Sequence, residues 1–144
     1  MNNETNNNKT TKTVNINVPS ALKTKEERMS AFVGCLRIAS CEGELTEKDL
    51  GQLDRICSYI GLAVDEVEQC LGQPETVEFV VPDSKAACLD TVMCLISMII
   101  ENGKINSVEQ AKMLHAACQS YGVSDDECGS LIDQLAQEER NQVA

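Results

Sequence analysis

Cys41-Glu42-Gly43-Glu44-Leu45-Thr46 returns as Glu101-Asn102-Gly103-Lys104-Ile105-Asn106, with Gly103 lying 60 positions after Gly43. Downstream, Leu53, Cys57, Gly61, Leu62, Asp65 and Glu66 return as Leu114, Cys118, Gly122, Val123, Asp126 and Glu127, now shifted by 61. Each copy reads as helix, polar Gly turn, helix, Gly stop, acidic cap, helix. A half that cannot bury its own apolar face packs on the other half. The repeat therefore predicts one all-α domain of about six helices in two pseudo-symmetric halves.

Composition agrees with helix-on-helix packing. Apolar residues make up 42% of the 144-residue chain, aromatics only 3%, and Trp is absent, so Leu, Ile, Val, Met, Ala and Cys must build the core. One closed core fits this length. The net charge of −11 repels phosphate backbones, so no nucleic-acid partner is expected; it favours cations or a basic protein surface. The longest apolar run, Val92–Ile100, is about half the roughly 20 residues needed to span a bilayer, so no membrane insertion is expected. Met1–Thr5 carries no basic region leading into an apolar one, and a cytoplasmic protein is the expectation. The 8 cysteines form no CxxC pair and mostly occupy apolar helical positions. They read as reduced core thiols.

The elements follow in order. Residues 1–13 are polar and predict a disordered tail. Val14-Asn15-Ile16-Asn17-Val18 alternates and stops at Pro19; Val77-Glu78-Phe79-Val80-Val81 stops at Pro82. These two stretches predict a short two-stranded β ribbon, whose edges could also pair between subunits and so allow a homodimer. The first helix is expected over about Thr24–Cys41. The second is capped by Thr46 and carries Leu50, Leu53, Ile56, Cys57 and Ile60. The third starts at Asp65 and Glu66, with Val67, Cys70 and Leu71 inward. The fourth, about Lys85–Glu101, is apolar on nearly all sides and should be central. The fifth carries Val108, Ala111, Leu114, Cys118 and Tyr121. The sixth carries Cys128, Leu131, Ile132 and Leu135. A single domain over 14–139 results, with halves near 24–72 and 84–137, an extended linker over 73–83, and a frayed end over 140–144.

Glu42, Glu44, Glu47 and Asp49 place four carboxylates around the Gly43 turn, and oxygen ligands of this kind hold hard cations such as Ca²⁺. The second copy, Glu101, Asn102 and Glu109, is poorer and contains Lys104. Neither follows the EF-hand loop pattern. A helix stop, a cap and a solvated acidic turn account for the same residues. His115, the one histidine, has no paired Cys or carboxylate in its pattern, and no nucleophile turn or Gly-rich phosphate loop is present.

The stretch Ala39-Ser40-Cys41-Glu42-Gly43-Glu44-Leu45, followed by Leu53, Ile56, Ile60-Gly61-Leu62 and Asp65-Glu66, resembles the TerB-like (tellurite resistance) family. That family includes the related helical region of DnaJ-like membrane co-chaperones. Ile100–Ile105 through Tyr121-Gly122-Val123 repeats the outline, so the resemblance covers about residues 25–137. The family's Asp before Gly is Glu42 here and Asn102 in the second copy. The resemblance implies a TerB-like helical bundle, a link to metal or stress responses, and an acidic metal-binding surface. By position, Glu42, Glu47 or Asp49, and Asn102 and Glu109, would carry it.

Three functions are compatible with these residues. The leading one is an acidic interaction or scaffold protein with a protein partner and no cofactor, in a stress-response setting. The alternative is a module that binds or senses a divalent cation weakly at the Gly43 turn. The third, an enzyme, has no catalytic set to support it.

Overall fold

A computed structural model of the chain describes residues 20–143. Among them are six α-helices: α1 (Lys25–Ala39), α2 (Glu47–Ile60), α3 (Val64–Gly72), α4 (Lys85–Ile99), α5 (Val108–Tyr121) and α6 (Asp125–Val143). A hairpin of β1 (Ile100–Glu101) and β2 (Lys104–Ile105) joins α4 to α5. The expectations for residues 1–13 and for Val14–Val18 lie outside the described residues.

Side chains fix the helix starts. Thr24, Thr46, Ser84, Ser107 and Ser124 each accept a backbone N–H three residues on, at 3.0–3.1 Å. Each bond satisfies a donor that the helix leaves unpaired. The acidic residue at the third helical position returns the bond at Thr24, Thr46 and Ser124. The stops match as well. Gly61 (φ 76°) closes α2 and Gly122 (φ 70°) closes α5, both left-handed. The next N–H folds back in each: Leu62 onto the Cys57 carbonyl at 3.2 Å, Val123 onto that of Cys118 at 2.8 Å.

The packing is reciprocal. α1 lies on α4 at the centre. α2 and α3 flank α1 as α5 and α6 flank α4, while α2 also reaches α4 and α5 reaches α1. Both central helices are therefore enclosed. α4 buries Ala87, Cys88, Val92, Cys94, Leu95 and Ile96, as its composition predicts. α1 is nearly as enclosed, burying Met29, Ala31, Phe32, Val33, Cys35, Ile38 and Ala39, with Leu36 half-buried. Gly34 lets the two approach, since a methyl there would meet Leu95 Cδ2 at 3.4 Å.

The structure corrects three expectations. Val77–Val81 is not a strand: it follows a 3-10 turn at Pro74–Thr76 and runs extended without a ladder among the described residues. The Val80 N–H donates to Ser30 Oγ on α1 at 3.0 Å, so a side chain replaces the strand partner. The ribbon is instead the hairpin, where Ile100 faces Ile105 and Glu101 faces Lys104. Its turn is Asn102-Gly103, both at positive φ (54° and 78°), which matches the twist of paired strands. The helix faces are also narrower than their apolar spacing. Leu50, Leu71 and Val108 are exposed and Cys57 is half-buried, because each flanking helix meets the centre along one stripe. All eight cysteines are free, with Cys41 on the surface.

Candidate binding basin

α2 runs antiparallel to α4, and three side-chain contacts mark the register. Tyr59 bonds Asp90 at one end, Gln52 bonds Ser97 in the middle, and Lys48 pairs with Glu101 at the other end. From the middle contact outward, the first part of α2, the end of α4, the hairpin, Gln110 of α5 and the end of α6 line a basin of about 1270 Å³. Its volume lies above the range usual for small-ligand pockets.

The wall formed by α6 is held in place. Glu139 Oε1 accepts the Gly103 N–H at 2.8 Å, and the Gly103 Cα faces Ala136 closely enough that a methyl would sit 3.4 Å from its Cβ. The opposite wall, α2, contributes Gly51. Nothing lies within 4 Å of a methyl placed there. A glycine inside a helix lowers stability by roughly 0.5–1 kcal/mol relative to alanine, and no packing contact explains this one. It leaves a bare stretch of helix backbone facing the basin.

Met98, Ile99 and Ile100 lie along the floor. Beside them Gln52, 9% exposed, donates from Nε2 to Ser97 Oγ at 3.2 Å, and Ser97 donates to the Cys94 carbonyl at 2.7 Å. Arg55 Nη1 donates to Gln52 Oε1 at 2.9 Å. The outer strand edge of β1 is not free to accept a further strand along its length, because the Ile100 N–H is already bonded to the Ile96 carbonyl.

The basin gathers only part of the predicted site. Glu47, Asp49 and Asn102 line it, together with Glu101. Glu42, Glu44 and Glu109 do not. Glu109 lies with Glu42 beside Cys41, at the junction of α1 and α5; burial, then these two carboxylates, raise that thiol's pKa. Asp49 is engaged by its own cap, accepting the Thr46 N–H at 2.9 Å. Lys48 Nζ sits 3.5 Å from Glu101 Oε2 in a largely exposed pair. Among the described residues no group of three or more His, Cys, Asp or Glu side chains converges to hold a metal ion. His115 Nδ1 lies 3.7 Å from Asp125 Oδ1 on the outer face of α5.

Arg55, Gln52, Ser97, Glu139 and Arg140 were not singled out by their sequence pattern. The polar positions in the apolar stripes of α2 and α4 were a usable signal for Gln52 and Ser97. Comparison with protein-family models, with curated proteins and with solved structures found no match. Among the described residues no helix is long and apolar enough to cross a membrane.

Proposed function

We propose that the chain is an acidic helical interaction module that receives a basic segment of a partner protein in the basin between α2, the hairpin and α6. The observation that carries this reading is the basin itself: a bare helix stretch at Gly51, an apolar floor, and carboxylates from both repeats, Glu47 and Asp49 from one and Glu101 from the other. The net charge of −11 would draw a basic segment in and speed its association. The resemblance to TerB-like proteins supports a stress-response setting. The weak-cation reading has less support, because Asp49 serves a helix cap and the Gly43-turn carboxylates divide between the basin and the surface beside Cys41.

Two variants of equal charge test the proposal. Glu47→Gln with Glu101→Gln alters the basin; Asp126→Asn with Asp133→Asn removes the same charge from exposed positions of α6. A fluorescent lysine–leucine peptide titrated at physiological salt should bind the basin variant several-fold more weakly than the α6 variant, since exposed charges beyond about 8 Å are screened. Equal weakening by both pairs would reduce the effect to net charge and remove the site.

A further inference from the structure

The chain itself carries a segment that fits the basin in reach and in chemistry. Residues 1–19 lie outside the described residues, and the chain that follows them is anchored at once. Ser20 Oγ donates to Asp90 Oδ2 at 2.7 Å, and the Ala21 N–H donates to the same oxygen at 2.9 Å. Asp90 belongs to α4, whose last residues, Met98 and Ile99, lie on the basin floor. From Asp90 to Ile99 the helix runs about 14 Å. The stretch from Ser20 back to Val14 extends to about 20 Å, so Val14 and the residues before it can reach the basin. Their chemistry is the complement of the site. In a chain with 23 acidic and 12 basic residues, residues 1–19 hold one acid, Glu4, and two bases, Lys9 and Lys12. Lys9-Thr10-Thr11-Lys12-Thr13 leads into Val14-Asn15-Ile16-Asn17-Val18, where every second residue is apolar. The basin offers the exposed carboxylates of Glu47 and Glu101 above an apolar floor. Its own cations are engaged elsewhere: Lys48 by Glu101, Arg55 by Gln52 and Arg140 by Gln137. Among the described residues none of them pairs with Glu47.

We infer that residues 9–18 of this same chain occupy the basin until a partner's basic segment displaces them. This rests on the docking reading and adds its regulation. Lys9 and Lys12 supply the charge that Glu47 and Glu101 attract, and Val14, Ile16 and Val18 supply apolar surface for the floor. A segment tethered this closely acts at an effective concentration of about millimolar, so weak contacts suffice to fill the site. The tether also makes the occupancy independent of dilution. A partner must therefore outcompete the chain's own segment, which sets a threshold on its affinity.

Two variants of the full chain test the occupancy. Lys9→Gln with Lys12→Gln alters the segment; Lys25→Gln with Arg37→Gln removes the same charge from exposed positions of α1 outside the basin. Amide NMR follows Gly51 and Gly103, which line the basin, and Gly122, at the opposite end of α6. The segment variant should move Gly51 and Gly103 and leave Gly122 in place, whereas the α1 variant should move none of the three. A segment that fills the basin about nine-tenths of the time weakens a competitor about tenfold. The lysine–leucine peptide should therefore bind the segment variant up to about tenfold tighter than the α1 variant. Basin glycines that stay in place overturn the occupancy. The peptide then decides the docking reading by itself: binding leaves it intact, and no binding to any form of the chain overturns it too. Glycines that move while the peptide binds both variants equally also overturn the occupancy, because the segment touches the basin without filling it. Glycines that move with no peptide binding to any form keep the occupancy and overturn partner docking. Shifts that fade on dilution of the parent chain assign the contact to a second copy and overturn the tethered occupancy.

Discussion

Tyr59 Oη donates to Asp90 Oδ1 at 2.7 Å, and the same carboxylate accepts Ser20 Oγ at 2.7 Å and the Ala21 N–H at 2.9 Å through Oδ2. Asp90 is in the middle of α4, and it ties down both α2 and the chain leading into α1. The other half repeats the lead-in contact at the corresponding place: Ser30, in α1, accepts the Val80 N–H from the chain leading into α4. Each half's lead-in segment thus grips the other half's first helix, and Tyr59 adds a further bond to Asp90. The halves are locked by polar contacts as well as by shared apolar surface.

That relationship predicts unequal losses. Tyr59→Phe removes a bond to a buried carboxylate and should lower stability by about 1.5–3 kcal/mol, the range for hydrogen bonds to charged groups. Tyr121→Phe removes a hydroxyl that makes no such bond to a carboxylate and should cost less than about 1 kcal/mol. Urea denaturation at neutral pH measures both. Equal losses would mean that the Asp90 charge adds nothing to the lock.

Glycines give a second contrast. Gly61 and Gly122 end equivalent helices at nearly the same left-handed dihedrals, so alanine at either should destabilise by about 1–2 kcal/mol. Gly51 is in a helix interior with open space around it, so Gly51→Ala should stabilise by about 0.5–1 kcal/mol. Thermal melts of the three variants decide the matter. A loss at Gly51 would mean that its methyl meets a group brought there by a contact not described in this fold.

Helix order, caps and stops were legible because each is a local event. Thr46 and Ser107 need only the N–H three residues on, and Gly61 and Gly122 only their own dihedrals. The ribbon was misplaced because Val77–Val81 has the alternation of a strand but meets the Ser30 hydroxyl, while the shorter Ile100–Ile105 stretch has the Asn-Gly turn that closes a hairpin. Acid density pointed toward the Gly43 turn, and only Glu47 and Asp49 of that cluster reach the basin. Its remaining parts depend on the register of α2 against α4 and on α6 continuing far enough for Glu139 to reach Gly103. Those are long-range facts that no local pattern encodes.

Divalent cations should leave the melting temperature unchanged. The carboxylates of the Gly43 turn do not converge with one another or with Glu109 to form a metal-binding group. A ligand that binds only the folded state raises the melting temperature by mass action. Melts in millimolar Ca²⁺ or Mg²⁺ should therefore coincide with those in chelator. A rise that disappears in the double variant Glu42→Gln, Glu47→Gln would restore the cation reading at that turn.

The buried thiols make stability depend on alkaline pH. Burial pushes Cys35 up to about 12 and Cys70 up to about 11; burial, then the neighbouring Cys128, pushes Cys118 up as well. In the unfolded chain these thiols ionise near 9. Above that pH the unfolded state gives up protons that the folded state keeps, so stability falls as pH rises. Below it both states hold the proton and no dependence arises from these groups. The urea midpoint should be level between pH 7 and 8 and drop between about 9 and 11 as the unfolded thiols ionise. Cys118→Ala lowers stability at neutral pH by leaving a small cavity, yet it should flatten the alkaline slope because one shifted thiol is gone. The comparison is of slopes, not midpoints. An unchanged slope in Cys118→Ala would show that this thiol ionises alike in both states and is not sealed in the interface between α5 and α6.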